Sequence, residues 1–148
     1  MYTKLITFFF LFSLSHLTFA QDIIGTWQSI DDLTGAPKGQ VEITQEADGT
    51  YIGKITKITP RTGYIPKEFC TGCPAPYTNK PILGLTVITK LKHKKDLSYS
   101  GGKILNPNSG RIYSLAAKVS NNGQRLHLRG YVGVSVLGRS QIWIRVNN

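Results

Sequence analysis

After residue 20, no stretch of this chain repeats its apolar residues with sustained helical spacing. Apolar side chains instead alternate with polar ones, or gather in short β-rich runs that end at turn-forming residues. This pattern builds strands, so the fold class is all-β. Eight runs are predicted as strands: Ile24–Ile30, Gln40–Glu46, Thr50–Thr59, Ile82–Lys92, Leu97–Leu105, Arg111–Ser120, Gln124–Tyr131 and Arg139–Val146. Val41 and Ile43 alternate with polar neighbours, as do Leu126 and Leu128, and Ile142, Ile144 and Val146. Each set is expected to form one buried face.

The connections select an architecture. Asp48-Gly49 and Asn121-Asn122-Gly123 are tight hairpin turns, because Asn, Asp and Gly accept positive φ. Asn106–Gly110 is a slightly longer hairpin loop. Eight consecutive antiparallel strands linked in this way are expected to close as an up-and-down barrel, which leaves no exposed sheet edge. An open sandwich is the alternative. In such a barrel, alternate connections emerge at the same end. The turns at Asp48-Gly49, His93–Asp96 and Asn121–Gly123 would close one end, while Asp31–Gly39, Pro60–Pro81, Asn106–Gly110 and Val132–Gly138 would surround a mouth at the other. Pro60–Pro81 is long for so small a domain and reads as a lid or a loose loop. Gly101-Gly102 falls within a strand and reads as a bulge or a close strand approach.

Residues 1–20, MYTKLITFFFLFSLSHLTFA, read as an export signal. Lys4 supplies the positive start, Ile6–Leu14 is apolar but too short to span a membrane, and Thr18-Phe19-Ala20 offers small residues for cleavage after Ala20. Residues 21–148 are then one exported domain, periplasmic or extracellular, with no membrane span. The whole chain carries 18 Lys and Arg against 8 Asp and Glu, a net charge of +10 that falls by one when Lys4 is removed. Such an excess favours acidic partners without naming a fold. An outer-membrane barrel would need an apolar lipid-facing band, and Lys54, Lys57, Lys103 and Lys118 interrupt the strands.

The chain has two cysteines, Cys70 and Cys73, at the ends of a four-residue turn centred on Thr71-Gly72. Three readings compete. An exported chain meets an oxidising compartment, and turn geometry brings the two Cα atoms within disulfide range, which favours a disulfide staple. A redox pair would want a helix N-terminus and a βαβ unit, which the pattern lacks. A zinc site would need four ligands, and His93 and His127 lack paired spacing, so no metal is expected.

No catalytic constellation emerges, and an enzyme is not expected. His127 alternates with Leu126 and Leu128 and should point outward. There is no glycine-rich phosphate loop and no cofactor signature. The run Lys90–Lys95 reads as a solvated hairpin end, and with only Tyr99 nearby it lacks the interleaved aromatics of a nucleic-acid binder.

Three stretches carry a resemblance: GTW at 25–27, GGKILNPNSGRIY at 101–113 and LRGYVGVSVLGRSQIWIRV at 128–146. Together they resemble a domain-of-unknown-function (DUF) family of small exported bacterial proteins. The resemblance implies a lipocalin-like (calycin) barrel and no established activity. In calycins the tryptophan of a first-strand Gly-X-Trp packs at the closed end against an arginine of the last strand. Trp27 matches that tryptophan, and Arg145 is the candidate arginine.

The function expected is binding of a small apolar or amphipathic molecule inside the barrel. The mouth connections and their edges carry Lys38, Arg61, Lys67, Lys80, Arg111 and Arg139 against Asp31, Asp32 and Glu68, which suits an anionic head group. Arg61, Lys67, Arg111 and Arg139 are therefore candidate ligand contacts. Tyr99, Tyr113 and Tyr131 are candidate interior contacts, with ordinary strand packing as the alternative. The opposing function is an interaction module with a filled barrel, whose basic surface binds an anionic polymer or a protein partner. Cavity volume separates the two. The oligomeric state is open, a homodimer included.

Overall fold

The structure is a computed structural model that describes residues 22–147, so the export segment predicted at 1–20 lies outside the described residues. Eight strands follow one another: β1 Gly25–Ile30, β2 Pro37–Gln45, β3 Tyr51–Ile58, β4 Thr86–Lys95, β5 Ser98–Asn106, β6 Arg111–Val119, β7 Arg125–Tyr131 and β8 Gly138–Arg145. Each pairs antiparallel with the next, and β8 returns to β1 to close an up-and-down barrel. The open sandwich is excluded. The closing seam is the shortest ladder, with Trp27 opposite Arg145 and Gln28 opposite Ile144.

Alternation places the interior where polar and apolar residues interleave cleanly. On β2, Val41 and Ile43 are buried around an exposed Glu42, and on β7, Leu126 and Leu128 are buried around an exposed His127. β8 runs opposite to expectation. Ile142 and Ile144 are 42% and 38% exposed, and the buried side chain is Trp143 at 4%. In Ile-Trp-Ile both faces are apolar, so alternation alone does not assign them. Pairing does: Trp143 lies opposite the inward-facing Leu126. The outer face carries charge at Glu42, Lys54, Lys103 and Lys118 over an apolar interior, the reverse of a membrane-spanning barrel.

Three strand limits differ from the sequence reading by three residues or more: β2 begins at Pro37 rather than Gln40, and β4 is shifted at both ends. Ile82–Leu85 is a turn, closed by the Leu85 N–H donating to the Ile82 carbonyl at 3.0 Å, and β4 begins at Thr86. Ile82 and Leu85 are buried there as turn residues, which is why the segment reads as strand. At the closed end β4 runs on to Lys95, and Asp96-Leu97 forms the turn, with Asp96 at φ 49°. Gly101 has φ 75° at a register shift in the β5–β6 ladder. Gly102 packs against β4 so closely that a Cβ there would lie 2.9 Å from the Leu91 Cα.

The closed half of the barrel is packed. Trp27, Ile43, Leu91 and Leu126 are wholly buried, and the Tyr51 and Tyr99 rings meet edge to face at 5.3 Å. The short connections Glu46–Thr50, Asp96-Leu97 and Ser120–Gln124 lie at this end. The long ones lie at the other.

Candidate functional site: a barrel cavity with a cationic rim

The open half holds a cavity of about 530 Å³. Its wall is apolar where the strands alternate inward: Val41, Ile55, Val87, Leu115, Leu128 and Trp143. Tyr113 and Tyr131, both half-buried, add aromatic faces and hydroxyls near the top, with Tyr64 from the loop above. Five cations border the space, Lys38, Lys57, Arg61, Lys67 and Arg139, and no Asp or Glu does.

Two of those five cations hold the mouth together. Arg61 pairs with Asp31 of the β1–β2 connection and lies over the Tyr64 ring at 4.5 Å. That guanidinium, with the Thr34 N–H and hydroxyl beside it, holds the Asp31 carboxyl well below the usual carboxylate range. Lys67 donates to the Asn108 carbonyl at 3.1 Å, and the Tyr64 hydroxyl donates to Asn108 Oδ1 at 3.1 Å. The side chains of Lys38, Lys57 and Arg139 make no hydrogen bond or ion pair among the described residues.

The β3–β4 connection is thus a strap docked on the β5–β6 hairpin, not a loose loop. Its centre is a disulfide between Cys70 and Cys73, with Cα atoms 5.4 Å apart. Both cysteines are buried, and their sulfurs rest 3.9 and 3.7 Å from the Pro107 carbonyl oxygen. A disulfide has no proton to donate, so these are packing contacts. The Cys70 N–H donates to the Lys80 carbonyl at 2.9 Å and the Ile82 N–H to the Glu68 carbonyl at 2.9 Å, so the strap carries its own small ladder. Gly110 lies directly under it, and a Cβ there would fall 1.9 Å from the Gly72 carbonyl oxygen.

The floor is closed by a different cluster. Arg145 covers the Trp27 ring at 4.2 Å. Its guanidinium donates to three carbonyls, Gly123 at 2.6 Å, Ile24 at 2.8 Å and Asp22 at 2.6 Å. Burial pulls the Arg145 pKa down from its ordinary value, with partial compensation from Asp22. Trp27 Nε1 donates to the Ile23 carbonyl at 2.9 Å.

Of the residues singled out from the sequence, Arg61, Lys67, Tyr113, Tyr131 and Arg139 border the cavity. Tyr99 does not. It faces inward but at the floor, where its hydroxyl accepts from the Ile23 N–H at 3.2 Å and burial raises its pKa. Arg111 is exposed at the start of β6 and Lys80 is exposed on the strap, both outside the lining. Lys57, Tyr64 and Trp143 line the cavity without having been singled out as ligand contacts. Trp143 was hidden by the ambiguous Ile-Trp-Ile pattern, and Lys57 carries a usable signal, since it lies at the mouth end of β3. Among the described residues, no three His, Cys, Asp or Glu side chains gather as metal ligands. No described helix is long and apolar enough to cross a membrane.

A closed eight-stranded barrel with a packed floor, an arginine laid over a first-strand tryptophan and an apolar cup at the other end defines a lipocalin-like protein. Residues 25–145 match DUF2147, described as an uncharacterized protein conserved in bacteria, and the chain belongs to that family. Among solved structures it is similar to protein HP1028 from the human pathogen Helicobacter pylori, which belongs to the lipocalin family. The TM-score is 0.71 and the identity 22%, over 84% of this chain and 83% of that one. At that identity the likeness concerns the fold. No curated protein matches the sequence.

Proposed function

We propose that this is an exported, non-enzymatic binding protein that holds one small amphiphile with an anionic head group, tail in the cup and head at the rim. The observation that carries the reading is the composition of the cavity border, five cations and no carboxylate above an apolar wall. The volume of about 530 Å³ falls within the range of small-molecule sites. An alkyl tail gains about 0.8 kcal/mol for each methylene it buries. The rim then selects the head. Arg61 and Lys67 are engaged in holding the loops, so Lys38, Lys57 and Arg139 are the head-group ligands. Tyr113 and Tyr131 add hydroxyl donors beside them. These cations are in contact with water, so their contribution is modest and screened by salt.

The opposing reading, an interaction module with a filled barrel, is disfavoured by the cavity volume. Titration with a fluorescent fatty acid and with the matching neutral alcohol, at low and high salt, tests the proposal. The acid is expected to bind more tightly, with an advantage that shrinks as salt rises. Equal affinity at every salt concentration would remove the cationic-rim mechanism, and no binding of either compound would remove the cavity reading.

A further inference from the structure

We infer that the mouth of the barrel is a docking surface for an anionic lipid bilayer. The inference deepens the binding proposal by naming where an amphiphile would be collected; its apolar residues lie outside the head-group set, while its cations include that set. Among the described residues, all large apolar side chains that are more than half exposed lie on mouth-side connections. Leu33 is 96% exposed, Ile65 92% and Val136 79%, with Val132, Val134 and Leu137 beside Val136. At the closed end the connections Glu46–Thr50, Asp96-Leu97 and Ser120–Gln124 expose no large apolar side chain. Scattered single apolar residues need no explanation, but a set confined to one end does.

The exposure is built into the loops. Asp31 accepts from the Leu33 N–H at 3.1 Å and the Thr34 N–H at 3.0 Å, a turn that presents Leu33 at its tip. Arg129 donates to the Ser135 carbonyl at 2.7 Å, the Val136 carbonyl at 3.2 Å and Ser140 Oγ at 2.9 Å. These bonds fix the short 3-10 turn Ser135–Leu137, whose three residues are all exposed.

Charge identifies the surface that fits. The apolar tips stand among Lys38, Lys57, Lys67, Arg111 and Arg139, while Asp31 is tied to Arg61 and Asp32 accepts from Gln141 Nε2 at 3.1 Å. Apolar tips on three separate loops around an opening do not make one flat patch for a rigid partner. They suit a fluid layer into which each inserts on its own, with cations level with anionic head groups. Val132 and Leu137 belong both to the exposed set and to the cavity lining, which gives a continuous apolar path from bilayer to cup.

The test is flotation with vesicles of phosphatidylcholine alone and of equal parts phosphatidylcholine and phosphatidylglycerol, comparing wild type with Leu33→Ser/Ile65→Ser/Val136→Ser, which removes the apolar tips and leaves the charge of the rim unchanged. The three sites are exposed and outside the cavity lining, and circular dichroism checks that the variant is folded. Wild type is expected to float with the anionic vesicles, less so at high salt, and the variant about ten-fold less. The same variant should bind a fluorescent fatty acid in solution as wild type does. The N-terminal segment is common to both proteins, so a difference between them reports on the loops. Equal flotation of both, or wild type left in solution, overturns the inference. So does a dimer in sedimentation velocity that the variant dissolves, since the face would then belong to a second copy. Vesicle binding without fatty-acid binding would keep the docking surface and reject the cavity reading.

Discussion

Arg145 lies over Trp27, its Cζ 4.2 Å from the ring centroid, and the same two residues are backbone partners across the seam where β8 closes on β1. One pair therefore joins the ends of the sheet and seals the floor. Trp27→Ala should lose about 3–5 kcal/mol in a denaturant titration, since the indole is wholly buried. Arg145→Lys keeps the charge but not the planar fork that reaches the Gly123, Ile24 and Asp22 carbonyls, and should lose about 2 kcal/mol. A neutral effect of Arg145→Lys would show that a positive charge over the indole suffices and that the three carbonyl bonds add nothing.

The strap makes a second prediction. Protein purified under oxidising conditions should show no titratable thiol. Cys70→Ala/Cys73→Ala should lose about 2 kcal/mol, the chain-entropy value for so short a loop. The effect should be local. Amide exchange should accelerate at Cys70, Asn79 and Ile82, whose N–H groups bind within the strap, and not at Leu126 in the packed half.

Asp31 makes a third, dependent on pH. Its folded pKa is depressed by the Arg61 hydrogen bond first and by the Thr34 N–H second, below the ordinary 3.8. A depressed folded value means that the stabilisation is fully present above 3.8 and is lost as pH falls through the folded value. Carboxylate titration by NMR should place Asp31 below the ordinary aspartate value of 3.8. The stability gap between wild type and Asp31→Asn should be constant from neutral pH to about 4 and should narrow only in stronger acid.

The fourth concerns occupancy of the cup. The protein has two tryptophans, and only Trp143 lines the cavity. Ligand addition should shift the emission of wild type and of Trp27→Phe, and leave Trp143→Phe silent. Gly130→Leu should block the cup. A Cβ at 130 would sit 3.5 Å from the Tyr113 Cβ, an ordinary contact on the cavity side. Binding should fall by about ten-fold or more while stability changes by about 1 kcal/mol or less.

Legibility in the sequence followed the physics of alternation. β2 and β7 are readable because a polar residue separates each pair of inward ones, as Glu42 does between Val41 and Ile43. β8 is not, because Ile142, Trp143 and Ile144 leave both faces apolar and only the β7 partner decides. The two ends of the barrel follow from loop lengths alone. Depth within the barrel does not: Tyr99 and Tyr113 are both inward residues, yet one is floor and the other is wall. The engagement of Arg61 by Asp31, thirty residues away, lies between two irregular loops and leaves no periodic signal.

The fit of Gly110 under the Gly72 carbonyl means that the two connections it joins are keyed to each other. Any side chain at 110 would wedge the strap off its hairpin, and a strap without the Cys70–Cys73 turn would leave the hairpin uncovered. Specificity in this scaffold is therefore not modular loop by loop. A graft that replaces the strap would have to replace the β5–β6 hairpin with it, whereas Val132–Leu137, held chiefly by Arg129, could be replaced alone.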